Sequence, residues 1–101
     1  MKINTLTNAA KVPFDVEGYL MHTSASLEVI HLCLQPGQAI PPHSNPIDIV
    51  ACLVEGEATL QTDKIQVKLE LYAVVEIEKD VERGFTNNGK SEARLLIMKK
   101  F

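Results

Sequence analysis

Tryptophan is absent from this chain, cysteine occurs twice, and only 5% of the residues are aromatic. The two thiols, Cys33 and Cys52, stand in strand-like segments without CxxC or CxxH spacing. They read as small reduced hydrophobes rather than as a disulfide or a metal pair. A basic excess is missing too. Ten Lys and Arg face thirteen Asp and Glu, for a formal charge of −3. That balance provides no phosphate-binding stripe, so neither nucleic acid nor an anionic membrane surface is an expected partner. Long apolar runs are lacking as well. The longest, Ile49 to Val54, is six residues, against the ~20 that a membrane-spanning helix needs. The opening residues, Met1 to Asn8, have no apolar core of the kind a secretory signal carries. The reading is a cytoplasmic protein whose 101 residues form one domain.

What the chain does have is alternation. Ile30, Leu32 and Leu34 fall on one side of a period-two stretch, with Val29, His31 and Cys33 on the other. A second such stretch runs from Ile65 to Ile77, with Ile65, Val67, Leu69, Leu71, Ala73, Val75 and Ile77 in one phase. Ile49 to Val54 is apolar in both phases, as in a central strand covered on each side. Leu95 to Met98 reads as a buried closing strand. Turn-forming residues punctuate these runs at Pro36-Gly37, Glu55-Gly56-Glu57, Thr62-Asp63-Lys64 and Asn87-Asn88-Gly89-Lys90. Pro36, Pro41, Pro42 and Pro46 crowd one short segment, which excludes a helix or a regular central strand there. Many short strands with no helix predict an all-β sandwich or barrel.

The segment Gly37 to Gly56 narrows that class. Gly37, five residues, His43, one residue, Asn45, three residues, Ile49, six residues, Gly56 follows the spacing of a known first motif. In that motif the four positions after the opening glycine are His, His, Glu and Gly. A second motif of Gly, Pro-x-Gly, His and Asn lies over Tyr72, Glu78, Asp80, Arg83 and Asn87, and only Asn87 matches. On these residues the chain resembles the cupin superfamily, particularly its small single-domain bacterial members. The resemblance implies a conical, jelly-roll-like β-barrel (a double-stranded β-helix), commonly a homodimer, with a pocket at the barrel mouth. Its core is expected over residues 27–98, preceded by an N-terminal strand or arm over residues 1–26.

The resemblance also implies where a divalent metal would sit in typical members. Carried to this chain, the four ligand positions fall on His43, Asn45, Ile49 and Arg83. Ile49 has no donor atom, and Arg83 brings a fixed positive charge. No metal and no other cofactor is therefore expected here. Asp48 lies one residue from the Glu position, so alternation turns it to the opposite face unless a bulge intervenes.

What remains is a different polar mouth. His43, Asn45 and Arg83 offer hydrogen bonds to a carboxylate, phosphate or polyol ligand, with Arg83 forking two bonds and His43 donating to a second group. Phe85, two residues beyond Arg83, supplies an apolar wall if the strand is regular. The plainer alternative makes Arg83 a solvated loop residue and Phe85 simple core. His31 reads as a surface or interface residue, and His22 as a solvated strand end. The Glu76–Glu82 stretch reads as a solvated loop of mixed charge. Ser44 lacks the His and Asp that would activate it.

Three functions stay open at this point. The first is small-molecule binding at His43, Asn45, Arg83 and Phe85 without the usual metal. The second is a metal-dependent isomerase or dioxygenase with a site rebuilt from His43, Asp48 and His22. The third is a homodimeric interaction module that pairs through the outward face of Val29, His31 and Cys33. The isomer of the Asn45–Pro46 peptide bond is open as well.

Overall fold

Alternating side chains and short turns, without apolar residues at helical spacing, produce ten strands and nothing else of regular structure; the computed structural model describes residues 1–101. They are β1 (Ala10–Lys11), β2 (Glu17–Thr23), β3 (Leu27–Leu34), β4 (Ala39–His43) and β5 (Asp48–Glu55). There follow β6 (Thr59–Thr62), β7 (Gln66–Lys68), β8 (Val74–Ile77), β9 (Arg83–Thr86) and β10 (Ala93–Lys100). Every pairing is antiparallel. One sheet has six strands in the order β1-β2-β3-β10-β5-β8, and the other four, β4-β9-β6-β7.

Register explains where the core lies. Leu95 stands opposite Leu32 on one side and Leu53 on the other, and Ile97 opposite Ile30 and Ala51. Because side chains opposite one another share a face, this row points one way. It meets Leu60 and Phe85 of the smaller sheet in a continuous apolar cluster. Both faces of β5 were expected to be covered, but Val50, Cys52 and Val54 are only partly buried. Residues 1–26, expected as an N-terminal strand or arm, contribute to both sheet and core. β2 pairs with β3 from Glu17 to Thr23, and Val16 joins the core.

The stretch from Ile65 to Ile77 is not one strand. β7 belongs to the four-stranded sheet and β8 to the six-stranded one, so the chain changes sheets between them. Of the expected inward phase only Leu69 and Ile77 are buried, while Ile65, Val67 and Leu71 are exposed. The crossing is held by Leu69 N donating to the Ala58 carbonyl and Tyr72 N to the Leu53 carbonyl. It requires a left-handed residue, and Tyr72 supplies it at φ 69°. Asp80 is the other non-glycine at positive φ, 66°. These are the two second-motif positions where the resemblance places glycine, so the backbone turns survive without their usual residue.

A left-handed conformation costs an L-residue about 1–2 kcal/mol, and glycine costs about 0.5–1 kcal/mol through unfolded-chain entropy. Tyr72 is mostly exposed, so little burial is lost on removing it. Tyr72→Gly is therefore expected to stabilise the fold by roughly 0.5–1 kcal/mol, raising the thermal midpoint by a few degrees. Asp80→Gly should gain less, since Asp tolerates this region better. A lower midpoint for Tyr72→Gly by calorimetry would contradict the account.

The proline-rich segment is an edge strand, as the missing amides demand. β4 pairs only with β9, and its register slips between Ile40 and His43, across Pro41 and Pro42. No peptide bond is cis, including Asn45–Pro46. Beyond β9, the fully buried Asn87 works as a clamp. Its side chain donates to the Leu34 and Ser91 carbonyls at 2.9 Å each and accepts from the Gly89 amide at 2.9 Å.

Candidate functional site

Between the two sheets lies a cavity of about 480 Å³ that opens to solvent. All four residues singled out from the sequence line it: His43, Asn45, Arg83 and Phe85. Topology brings them together. His43 and Arg83 are register partners across β4 and β9, and Ile40 stands opposite Phe85. Arg83 and Phe85 share one face of β9, as their two-residue spacing requires. The residue between them, Gly84, faces β4 so closely that a Cβ there would lie 2.7 Å from the Ile40 carbonyl oxygen and 2.8 Å from Pro42 N. Close approach of the two backbones is what sets His43 opposite Arg83 at the cavity.

Arg83 is not a solvated loop residue. It sits on a strand at 3% exposure, and it makes none of the chain's four ion pairs. With its amide turned to satisfy both neighbours, Asn45 accepts from Arg83 Nη2 at 2.9 Å and donates to the Ser44 carbonyl at 3.0 Å. Asn45 is itself held by the Asp80 amide, which donates to its carbonyl at 2.8 Å. Burial pushes the Arg83 guanidinium down from its ordinary value, yet arginine stays protonated in proteins. A buried positive charge thus faces the cavity with one neutral acceptor and no carboxylate within 4.0 Å, the cavity's own Asp15 making no ion pair with it. That is an expensive arrangement in the absence of an anion.

His43 differs from the expectation that it donates to a ligand. Its Nδ1 lies 3.0 Å from the Pro41 carbonyl, and a carbonyl only accepts, so Nδ1 carries the proton and donates. In the neutral ring, Nε2 is left as an acceptor. Most of the rest of the lining is apolar, with Ile49 2% exposed at the cavity wall.

Sequence reasoning did not place Phe14, Asp15 or Lys99 at the cavity, yet each lines it. For Lys99 the signal was present. It stands two residues beyond Ile97 in the same phase and opposite Ile49 in the register. Lys99 already has an anionic neighbour, Glu28, at 3.6 Å. Phe14 and Asp15 belong to the β1–β2 loop, where no periodicity marks a side chain as inward.

The donor set does not fit a transition metal. The four ligand positions provide one imidazole, one carboxamide, a hydrocarbon and a guanidinium, whereas such ions take three or four N, O or S donors. A rebuilt site is not assembled either. Asp48 is exposed and accepts from the Lys79 amide at 2.8 Å, and His22 is exposed on β2. Neither reaches the cavity lining. No bulge rescues Asp48, because Ile49 and Asp48 alternate regularly at the start of β5.

On the other face of β3, Cys33 is fully buried rather than part of an open apolar patch. Its thiol donates to Glu92 Oε1, which also accepts from Arg94 Nη2 at 3.1 Å and Gln35 Nε2 at 3.3 Å. Burial, and then the Glu92 hydrogen bond, push the thiol up to about 12. Arg94 reaches His31 Nε2 at 3.1 Å and Glu55 at 3.4 Å. The face expected to pair subunits through Val29, His31 and Cys33 therefore carries a hydrogen-bonded polar cluster. Both cysteines are free, separated by β10, which lies between β3 and β5.

Comparison with solved structures supports the same architecture. A protein of Thermus thermophilus superposes with a TM-score of 0.84 at 24% identity, covering 99% of this chain and 97% of that one. A predicted oxalate decarboxylase from Thermotoga maritima gives 0.89 at 11% identity, with 99% of each chain covered. An RmlC-like cupin with a double-stranded β-helix fold from Methanocaldococcus jannaschii gives 0.83 at 17% identity, over 99% of this chain and 90% of that one. At such identities the likeness is one of fold. A search of curated proteins returns no match. The Cupin_2 family, a cupin domain, matches residues 30–99. With that match and its two antiparallel sheets wrapped as a double-stranded β-helix, this chain belongs to the cupin superfamily.

Proposed function

We propose that the chain binds a small anionic or polyhydroxylated ligand at the barrel mouth, through Arg83, Asn45 and His43 against Phe85, without a metal. The observation that carries this reading is the buried, ion-pair-free guanidinium of Arg83 on the wall of an open cavity. A ligand anion completes its coordination, and a charge-assisted hydrogen bond of this kind is worth about 1.5–3 kcal/mol. The apolar part of the lining supplies contact area, the usual composition of a small-molecule pocket.

The reading makes two expectations of opposite sign. Arg83→Gln should weaken binding of an anionic ligand by about 30-fold or more in isothermal titration calorimetry, as the loss of ~2 kcal/mol requires. Arg83→Met should leave the ligand-free thermal midpoint unchanged or higher, because it removes a buried charge that has no counter-ion. Calorimetric titrations with acetate, inorganic phosphate, hydrophobic carboxylates and inositol test the first, and scanning calorimetry the second. Unchanged binding by a folded Arg83→Gln variant would remove the anchor. A large fall in the midpoint of Arg83→Met would make the arginine structural. The rebuilt-metal reading has no comparable support, since Asp48 and His22 lie outside the cavity.

A further inference from the structure

The same cavity narrows the ligand further, and the narrowing rests on the binding reading just given. Three features act together. The first is charge. Arg83 is the cavity's one cation without an anionic neighbour, because Lys99 already faces Glu28. One guanidinium matches one carboxylate in a two-pronged hydrogen bond. A phosphate dianion would leave a second charge without a counter-ion in a partly apolar enclosure.

The second feature is the polarity of His43. With Nδ1 donating to the Pro41 carbonyl, the neutral ring offers the cavity only an acceptor, Nε2. It calls for a ligand group that donates, such as a hydroxyl. His43 and Arg83 stand opposite one another in an antiparallel pair, with Cα atoms on the order of 5 Å apart. That pairing puts the acceptor and the guanidinium on one wall of the cavity, within reach of a single small ligand.

The third is the hydrocarbon lining. Ile30, Leu32, Ile49, Phe85 and Ile97 occupy the wall behind the polar mouth. A ring of hydroxyls pushed against them would lose water without a partner, at about 1–3 kcal/mol for each unpaired group. An alkyl or aryl body gains there instead.

We infer that the ligand class is a 2-hydroxy monocarboxylic acid with an apolar side chain. Its carboxylate lies on Arg83, its hydroxyl donates to His43 Nε2, and its hydrocarbon body rests on Ile49 and Phe85. Phe14, half-exposed on the β1–β2 loop at the rim, adds a further apolar contact. A body of roughly a dozen non-hydrogen atoms fits comfortably in a cavity of ordinary ligand-site size.

The test uses the full chain and matched probes in calorimetric titration. The probes are both enantiomers of 3-phenyllactate, 3-phenylpropanoate, lactate, 3-phenylpropane-1,2-diol, inorganic phosphate and inositol. One phenyllactate enantiomer is expected to bind about 5- to 10-fold tighter than phenylpropanoate, the value of one hydrogen bond. Lactate is expected to bind at least 10-fold more weakly, and the diol not measurably. His43→Ala, an exposed position that should not unfold the chain, should bring the hydroxy-to-deoxy ratio within about 2-fold of unity. Amide shifts at Gly84 and Phe85 in 1H–15N spectra locate the binding. Equal affinity for phenyllactate and phenylpropanoate, or a ratio that survives His43→Ala, overturns the inference. So does Arg83-dependent binding of phosphate or inositol when phenyllactate fails, although the broader binding reading then stands. If none of the acids, phosphate or inositol binds, both readings fall.

Discussion

Replacing Gly84 with alanine is expected to destabilise the protein by about 3 kcal/mol and to abolish binding at the barrel mouth, although Gly84 touches no ligand. Its new Cβ would lie 2.7 Å from the Ile40 carbonyl oxygen, 2.8 Å from Pro42 N and 3.1 Å from the Pro41 carbonyl carbon. All three are backbone atoms, so no side chain can swing away. The yielding partner must be β4, an edge strand with an irregular register and two prolines. If β4 moves outward, His43 leaves Arg83 and the cavity loses a wall. A fall of roughly 12–24 °C in the thermal midpoint corresponds to that loss for a domain of this size. Gly37→Ala is the control. Gly37 has φ +85° but nothing within 4 Å of its Cβ, so only the conformational cost of about 1–2 kcal/mol applies. Equal midpoints for the two variants would show that the close approach of β4 and β9 is not what the glycine serves.

Gly56→Ala should be more damaging. At φ +77° the backbone is already in the region that suits glycine, and the added Cβ would collide with the Glu92 carbonyl oxygen and lie 2.9 Å from Ala93 Cα. Strain and overpacking then add, to about 4–5 kcal/mol. A domain whose whole stability is about 5–15 kcal/mol has little left after that. The expected result is scant soluble protein, or a midpoint at least ~15 °C lower by scanning calorimetry. The displacement falls at the start of β10, next to the buried Ala93 and to Glu92, which receives Cys33, Gln35 and Arg94. A variant within a few degrees of the parent would refute the packing at this crossing.

How much of this was legible in the sequence depended on whether a signal was periodic. Ile30, Leu32 and Leu34, and Leu95 with Ile97, announced their faces because one side of each strand is buried and the register permits no slip. The first motif fixed the places of His43, Asn45 and Ile49 because its glycines, Gly37 and Gly56, are the residues that take positive φ. Arg83 was ambiguous for the opposite reason. Its motif keeps the turns but puts Tyr72 and Asp80 where glycine would mark them, so nothing local distinguished a strand start from a loop. The same masking joined Ile65 to Ile77 into one apparent strand, since the alternation runs straight through the change of sheet at Tyr72. Cys33 misled because period two says which face a side chain takes, not whether that face is covered. Its cover comes from Glu92, 59 residues away. Phe14 and Asp15 reach the cavity from a loop, where position follows from tertiary contacts alone.

The clamp at Asn87 has a consequence in time. Its side chain ties the end of β9 to β3 and to the following turn, and its backbone exchanges bonds with Gly37 and Gln38. Further along, the neighbouring strand β4 has no such side-chain clamp, and Pro41 and Pro42 give it no amides to lend. One side of the mouth therefore holds still while the other breathes, and amide exchange should be slow at Phe85 and Asn87 and fast along β4. Incoming molecules of different girth are then met by a stationary charge and a yielding imidazole.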